Sequence, residues 1–223
     1  MRPSPGTLCR GSTFDPIPAH REIQVVPRIL IATGNRGKLE EFSCLLGDVF
    51  SSYLCLRDLN LPGPEETAPD YLGNALIKAR SACDRASCLC LADDSGLEVE
   101  GMGWGPGPLS DRYGPDAPSR IKKLLGELAD RGRSGSIARF VCVIALAHPA
   151  FGEKTFEGRI EGRITETLKG TRGFGYDPVF FIPAEGMTMA ELPTGRKNQI
   201  SHRAQAAHQA LTWLHAHPDW LNT

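Results

Sequence analysis

The sequence predicts an α/β fold, and three observations carry that prediction. Short apolar runs read as buried strands: Ile29-Leu30-Ile31-Ala32, Leu89-Cys90-Leu91-Ala92 and the longer run over 137–147. Between them, apolar residues recur every three or four positions, as helices with one buried face require. The first two runs each lead into a polar, turn-forming segment, and open α/β sheets place their chemistry at the C-terminal ends of strands.

Bulk properties limit the partners. A chain of 223 residues, 41% apolar and 23% charged, is long enough for one large α/β domain or two intimate lobes around a substantial core. A formal net charge of -1 supplies no global basic field for holding a nucleic-acid backbone. No apolar run approaches the ~20 residues needed to span a bilayer. The seven cysteines are odd in number, lack a Cys-x-x-Cys pair and lie partly inside apolar runs, so they read as small core residues in a reducing compartment. No apolar signal core is visible at the N-terminus, and the expected location is cytoplasmic.

Taken in order, residues 1–27 are proline-rich and aperiodic and read as a disordered leader without chemistry. The strand over 28–32 delivers Thr33-Gly34-Asn35-Arg36-Gly37-Lys38, followed by a helix with Leu39, Phe42, Leu45 and Leu46 on one face and Gly47 as its stop. A strand, a glycine-bearing turn and a helix start expose unpaired N–H groups to an anion, and Arg36 and Lys38 add charge. The glycines are too close together for a Walker loop, and Leu39 stands where Ser or Thr would hold magnesium. A simple tight turn is the alternative.

Residues 53–56 read as a second strand. A proline-rich loop then ends in Glu65-Glu66-Thr67, before a helix with Leu72, Ala75, Leu76, Ala79, Cys83 and Ala86 on one stripe. Paired glutamates at that position are ordinary helix N-terminal charges unless Asp94 is nearby. Leu89-Cys90-Leu91-Ala92 runs into Asp93-Asp94-Ser95-Gly96, read as the strand's exit, with 97–100 returning as a further strand. Adjacent side chains on extended backbone point opposite ways, so the two carboxylates are expected to divide the work. Their mutual repulsion calls for a cation, expected to be a divalent metal. An acidic turn with an Asp cap is the alternative.

An irregular Gly/Pro segment over 101–108 precedes a helix over 118–130 carrying Ile121, Leu124, Leu125 and Leu128. The run over 137–147 reads as a strand buried on both faces, and 156–164 as a strand broken by glycine, with a bulge as the expected form. Gly173-Phe174-Gly175-Tyr176-Asp177-Pro178 opens into the strand Val179-Phe180-Phe181-Ile182; its aromatics either stack on a flat ligand or close the core. Lys197-Asn198 and Ser201-His202-Arg203 lead to a last helix with Ala204, Ala207, Leu211 and Leu214 inward. His208, His215 and His217 lack matched ligands and read as solvated, and 218–223 as a tail.

The ordered set of motifs resembles one family: Thr-Gly-Asn-x-x-Lys, Glu-Glu-Thr, Asn-Ala-x-x-Lys-Ala, Ala-Asp-Asp-Ser-Gly-Leu, Gly-Phe-Gly-Tyr-Asp-Pro, Ala-Glu-Leu and Lys-Asn-x-Ile-Ser-His-Arg. It is similar to the non-standard purine nucleoside triphosphate pyrophosphatases, also called inosine/xanthosine triphosphate pyrophosphatases, and within them to the bacterial dITP/XTP type. The similarity runs from about residue 29 to about residue 214.

That resemblance implies an elongated, mixed, twisted sheet flanked by helices, with two lobes and a central nucleotide cleft in one catalytic domain over 28–217. It also implies a homodimer and Mg²⁺-dependent hydrolysis of inosine, deoxyinosine and xanthosine triphosphates to monophosphate and pyrophosphate, which cleanses the nucleotide pool. Carried over by position, Asp94 is the general base and a metal ligand, and Glu65 is the companion metal carboxylate, with Glu66 and Asp93 as further candidates. Thr33, Gly34, Asn35, Arg36, Gly37 and Lys38 hold phosphates. Ser95, Phe174, Gly175, Tyr176, Asp177, Lys197, His202 and Arg203 contact substrate. The chain departs from the family pattern at Gly73, at Leu168-Lys169, at Arg196, and around Ser110, where Pro108-Leu109 and Asp111 vary Gly-Val-Tyr-Ser-Ala-Arg. Two rival readings are a related pyrophosphatase acting on modified pyrimidine nucleotides and a non-catalytic nucleotide-binding module. Loss of the carboxylates would mark the latter, and Asp94, Glu65 and Glu66 are present.

Overall fold

A computed structural model of the chain describes residues 28–221. The leader expected over 1–27 lies outside the described residues. In chain order the elements are β1 (Arg28–Ile31), α1 (Arg36–Leu46), β2 (Ser52–Cys55), α2 (Tyr71–Ala86), β3 (Cys90–Val99) and β4 (Gly105–Pro106). They continue with α3 (Ala117–Asp130), β5 (Ile137–His148), β6 (Gly152–Ile164), β7 (Phe180–Ile182), β8 (Met187–Thr188), α4 (Thr194–Ile200) and α5 (His202–Ala216).

The strands form one mixed sheet in the order β2-β1-β3-β5-β6-β7-β8, with β4 on the free edge of β3. β1 runs parallel to β2 and β3, whereas β3, β5, β6, β7 and β8 are antiparallel in succession. Helices cover both faces, so the expected mixed α/β architecture is what the chain adopts. On one face Ile29, Ile31, Leu89, Leu91 and Ile144 pack against Phe42 and Leu45 of α1 and against Ala207, Ala210 and Leu214 of α5. On the other face Leu30, Ala32, Cys90, Ala92 and Val143 pack against Ala75, Ala79 and Ala82 of α2. A third cluster joins Leu97, Val99, Phe140 and Phe180 to Ile121, Leu124 and Leu128 of α3. Fully burying a Leu or Phe side chain is worth roughly 1.5–3 kcal/mol, so these faces fix which way each strand is turned.

Several expectations change. Asp93-Asp94-Ser95-Gly96 is not an exit turn, because β3 runs unbroken from Cys90 to Val99 with every residue in register with β5, Asp93 opposite Ile144 and Asp94 opposite Val143. A full ladder on one edge satisfies the backbone and overrides the poor strand propensity of Asp and Gly. Nor is β6 bulged. Gly158 and Gly162 stay in register with Cys142 and Ala138. A side chain at Gly158 would stand 2.2 Å from the His202 carbonyl oxygen, and one at Gly162 would meet Phe181's at 2.6 Å. These glycines let other backbones approach.

The α2 stripe is also rotated from the expected one. Leu72 is exposed, while Tyr71, Asn74, Ala75, Lys78, Ala79, Ala82 and Cys83 are buried. Polar Asn74 and Lys78 face inward because carboxylates await them there. Residues 218–221 are not a loose tail but a 3-10 turn, whose Trp220 is buried and meets Trp213 edge-on. The last two residues lie outside the described part.

Candidate active site

The site begins where β1 ends. β1 pairs with β3 only at Leu30–Cys90 and Ile31–Leu91, so the next residues of β3 have no strand on that edge until β4 pairs with Glu98 and Val99. Asp93, Asp94, Ser95 and Gly96 occupy that opening. Leu89 and Leu91 face α1 and α5, whereas Cys90 and Ala92 face α2. Strand alternation then sends Asp93 to the first face and Asp94 to the second.

On the α2 face, Asp94 Oδ1 accepts from Lys78 Nζ at 2.8 Å and Oδ2 from Asn74 Nδ2 at 3.3 Å. Asn74 and Lys78 are four apart on one helix, so both reach the same carboxylate. Lys78 also donates to Glu66 Oε1 at 2.8 Å, and Arg112 Nη2 to Glu66 Oε2 at 2.6 Å. Burial pushes the Asp94 carboxyl above its ordinary value, with Lys78 opposing and the Glu66 charge adding. For Glu66 burial acts in the same sense, but Lys78 and Arg112 outweigh it and hold the group low.

On the opposite face, cations and carboxylates alternate. Lys38 Nζ lies 3.0 Å from Asp93 Oδ2, which also meets Arg203 Nη2 at 3.3 Å and Ser95 Oγ at 3.1 Å. Arg203 extends its other arm to Glu41 Oε2 at 2.5 Å. Glu41 Oε1 lies 2.7 Å from Lys197 Nζ, which reaches Asp177 Oδ2 at 2.9 Å. Three cations thus alternate with three anions. Burial disfavours the Asp93 charge, but Lys38, Arg203 and Lys78 more than offset it and hold this carboxyl well below the usual range. Breaking one member of such a set leaves a buried charge uncompensated.

Beside this chain lies an aromatic hollow lined by Phe140, Phe174, Tyr176 and His202, with Ser95 and Gly96 at its edge. His202 stacks on Phe140 with ring centroids 4.8 Å apart, and its Nδ1 is buried without a partner among the described residues. Burial, with Arg203 and Lys197 nearby, lowers its pKa well below the ordinary value and keeps it neutral. Tyr176 is buried and donates to the Ser110 carbonyl at 3.0 Å, whereas Phe174 stands at the mouth with Lys197 Nζ 5.0 Å from its ring centroid. Gly173 (φ +76) clears Asp177, since a side chain there would stand 1.9 Å from Asp177 Oδ2, the atom that accepts from the Phe174 N–H. A second hollow, lined by Thr33, Gly34, Asn35, Lys38, Glu66, Lys78 and Asp93, adjoins the first.

Most residues singled out from the sequence therefore meet in one cleft, with two exceptions. Arg36 points to solvent and pairs with Glu40 at 3.0 Å. Glu65 is exposed, and the carboxylate that joins Asp94 through Lys78 is Glu66. Next to Asp70, the N-cap of α2, the loop turns only one of two adjacent glutamates inward. Lys38, Lys197 and Arg203 are each engaged by a protein carboxylate, so they are a poised set of cations and not free ones. Asn74, Lys78 and Glu41 were not among the expected site residues. Each is a polar residue on an otherwise apolar helix face: Asn74 and Lys78 beside Ala75 and Ala79, Glu41 beside Phe42 and Leu45. That is the pattern that could have found them.

Among the described residues, no three His, Cys, Asp or Glu side chains are grouped so as to hold a metal ion. Mg²⁺ is characteristically held by one or two carboxylates together with substrate phosphates and water, a demand that Asp94 and Glu66 suit. Both are oxygen donors that meet Lys78 Nζ at 2.8 Å, and the Glu66 charge adds to the rise of the Asp94 pKa, a repulsion that a divalent cation relieves.

Comparison with known proteins gives one consistent result. The Ham1 family model matches residues 29–213. A dITP/XTP pyrophosphatase of Bacillus licheniformis is 43% identical over 182 residues, covering 80% of this chain and 93% of its own. One of Haemophilus influenzae is 43% identical over 185 residues, covering 80% and 94%. Among solved structures, a HAM1 protein from Coxiella burnetii superposes with a TM-score of 0.78 at 37% identity, covering 85% of this chain and 99% of its own. A nucleoside-triphosphatase / dITP/XTP pyrophosphatase from Mycobacterium abscessus gives 0.64 at 38% identity, covering 82% and 98%.

Proposed function

The chain belongs to the Ham1 family, and from that premise we propose that it hydrolyses non-standard purine nucleoside triphosphates to the monophosphate and pyrophosphate. Inosine, deoxyinosine and xanthosine triphosphates are the substrates, and removing them cleanses the nucleotide pool. The observation that carries the proposal is the pairing of the two hollows, one aromatic with an unpartnered buried imidazole nitrogen, the other charged and lined by Lys38, Glu66, Asp93 and Lys78, whose Nζ meets Asp94. A flat base fits the first and a triphosphate the second.

In this reading Asp94 is the general base. Each carboxylate oxygen has two lone pairs, so a contact to Lys78 or Asn74 leaves room to accept from a water. Asp94 takes the water's proton as the water attacks phosphorus, the α–β anhydride bond breaks, and pyrophosphate leaves with the electron pair. Asp94 and Glu66 would hold a divalent cation such as Mg²⁺, which would supply neutralisation of phosphate charge. Thr33, Gly34, Asn35, Gly37 and Lys38 cradle the phosphates with the N-terminus of α1, and Lys38 can exchange Asp93 for phosphate oxygens. With the proton on Nδ1, His202 donates to the 6-oxygen of hypoxanthine or xanthine; in that tautomer the 6-amino group of adenine leaves a desolvated donor facing a donor. Arg203, whose two terminal nitrogens are taken by Glu41, Asp93 and Ser95, orients Ser95 and the loop before α5. The unit over 28–217 acts as one two-lobed catalytic domain in the cytoplasm, as a homodimer. Among the described residues no helix is long and apolar enough to cross a membrane.

Phosphate NMR on the intact chain, with and without Mg²⁺, tests this reading over a panel of triphosphates. Monophosphate and pyrophosphate are the expected first products, with inosine and xanthosine triphosphates used at least ~100-fold more efficiently than adenosine triphosphate. A diphosphate as first product, or equal use of adenosine triphosphate, overturns it.

A further inference from the structure

The loop after β2 lies beside the loop after β1, because the two strands are parallel neighbours with Ile31 opposite Cys55. Their C-terminal ends therefore open on the same side. Arg57, two residues beyond β2, meets the Thr33-Gly34-Asn35 turn there across a third hollow of about 330 Å³, with Arg36 and Asp58 also on its walls. This hollow shares Thr33, Gly34 and Asn35 with the charged one, which in turn shares Lys38 with the aromatic one. The three form a row.

On the reading that a nucleoside triphosphate is cleaved between its α and β phosphates, the order of the row sets the order of the substrate. The base fills the aromatic hollow. The α-phosphate belongs in the charged hollow, where Lys78 meets Asp94. The β and γ phosphates then run on over Thr33-Gly34-Asn35, and the terminal one reaches the third hollow.

Arg57 differs from the other Lys and Arg side chains that line this row. Lys38 pairs with Asp93, Lys78 with Glu66 and Asp94, Lys197 and Arg203 with Glu41, and Arg36 with Glu40. Arg57 is exposed, and among the described residues no carboxylate pairs with it. Its neighbour Asp58 is engaged elsewhere, accepting from the Cys55 N–H through Oδ2 at 2.7 Å. The backbone that carries Arg57 is tied down. The Asp58 N–H donates to the Cys55 carbonyl and the Asn60 N–H to the Arg57 carbonyl, both at 3.1 Å, and Leu56 is buried. An uncompensated guanidinium on a fixed backbone can take an anion without first breaking an ion pair.

We propose that Arg57 grips the terminal phosphate of the substrate, so that the chain tells triphosphates from diphosphates through this residue. A guanidinium meets a phosphate through two parallel N–H donors, and a nucleoside diphosphate ends one phosphate short of it.

The test measures kcat/KM for inosine triphosphate and the inhibition constant of inosine diphosphate, with the full chain and Mg²⁺, in the wild type, Arg57→Ala and Arg57→Lys. Arg57→Ala should lower kcat/KM for the triphosphate by about tenfold, the scale of a hydrogen bond to a charged group, and leave the diphosphate constant within about twofold. Arg57→Lys keeps the charge and loses the fork, so its kcat/KM should lie between. A diphosphate constant that rises as much as the triphosphate value falls overturns the inference, because Arg57 then serves a phosphate common to both or shapes the loop. So does an unchanged triphosphate value in Arg57→Ala. Either result, with a wild type that releases pyrophosphate from inosine triphosphate, overturns the role of Arg57 alone. A wild type that releases none overturns the activity reading with it.

Discussion

Lys78 Nζ on α2 lies 2.8 Å from Asp94 Oδ1 on β3. Burial raises the Asp94 pKa and Lys78 is the largest influence opposing that rise. Removing the cation as Lys78→Met should raise the Asp94 pKa further. If activity needs ionised Asp94, the acid limb of the pH–kcat profile moves to higher pH while the alkaline limb stays. An acid limb that stays in place, in a variant of unchanged thermal stability, counts against Asp94 as the base.

The Asp94→Asn variant should bind substrate but turn it over at least ~100-fold more slowly, because the amide keeps the shape and loses the basic oxygen. Asn74 and Lys78 can both remain hydrogen-bonded near it, so folding should survive. Calorimetric titration with a nucleotide, paired with turnover, separates binding from chemistry. Turnover within a few-fold of wild type would sink the assignment.

The two glutamates before α2 should behave differently. Glu66→Gln loses a carboxylate that shares Lys78 with Asp94, so it should lower kcat and raise the Mg²⁺ concentration needed for half-maximal activity, by about tenfold or more. Glu65→Gln, on an exposed side chain, should stay within about twofold. Magnesium titrations of both variants decide the order, and the opposite ranking returns Glu65 to the metal.

Gly96 has no room for a methyl group. An added Cβ would stand 2.2 Å from the Gly107 carbonyl oxygen and 2.7 Å from Ser110 Oγ. Gly96→Ala should cost roughly 1–3 kcal/mol and push the Ser110–Asp111 segment away from β3. Urea denaturation measures the first effect. An unchanged midpoint would mean that the contact relaxes freely.

Stability should fall on mild acidification because of His202. Its ordinary pKa is near 6.5, and burial, with Arg203 and Lys197 adding, holds the folded-state value well below. Above about 6.5 both states are neutral and stability is complete; as pH falls through that value the unfolded chain takes a proton that the folded chain refuses. The urea midpoint should therefore drop between about pH 7 and 5, and His202→Gln should flatten the drop. His148, which burial also depresses, acts in the same direction and leaves a residual slope. Parallel slopes for wild type and variant would contradict this account.

Much of the fold was legible because its signals are local. Apolar runs gave β1, the start of β3 and nearly all of β5, and Gly47 marked the end of α1 by capping chemistry that needs no tertiary context. The division of labour between Asp93 and Asp94 followed from strand alternation alone. Ordered motifs over nearly the whole matched region carried the family, since many short patterns in one order are far more specific than any single one.

What the tertiary structure alone decided was pairing and facing. The Asp-Asp-Ser-Gly segment carries turn residues, yet β5 supplies a hydrogen-bond partner at every step and keeps β3 extended through it. Gly158 and Gly162 look like strand breakers until the backbones of α5 and β7 are seen against them. Glu66 and Glu65 are equivalent in sequence, and only the direction of the loop into α2 turns one toward Lys78. Glu41 joins Lys197 and Arg203 across more than 150 residues of chain, and no local pattern encodes a charge network closed at that distance. Periodicity determines which residues can be buried; which of them meet depends on contacts that exist only after the chain has folded.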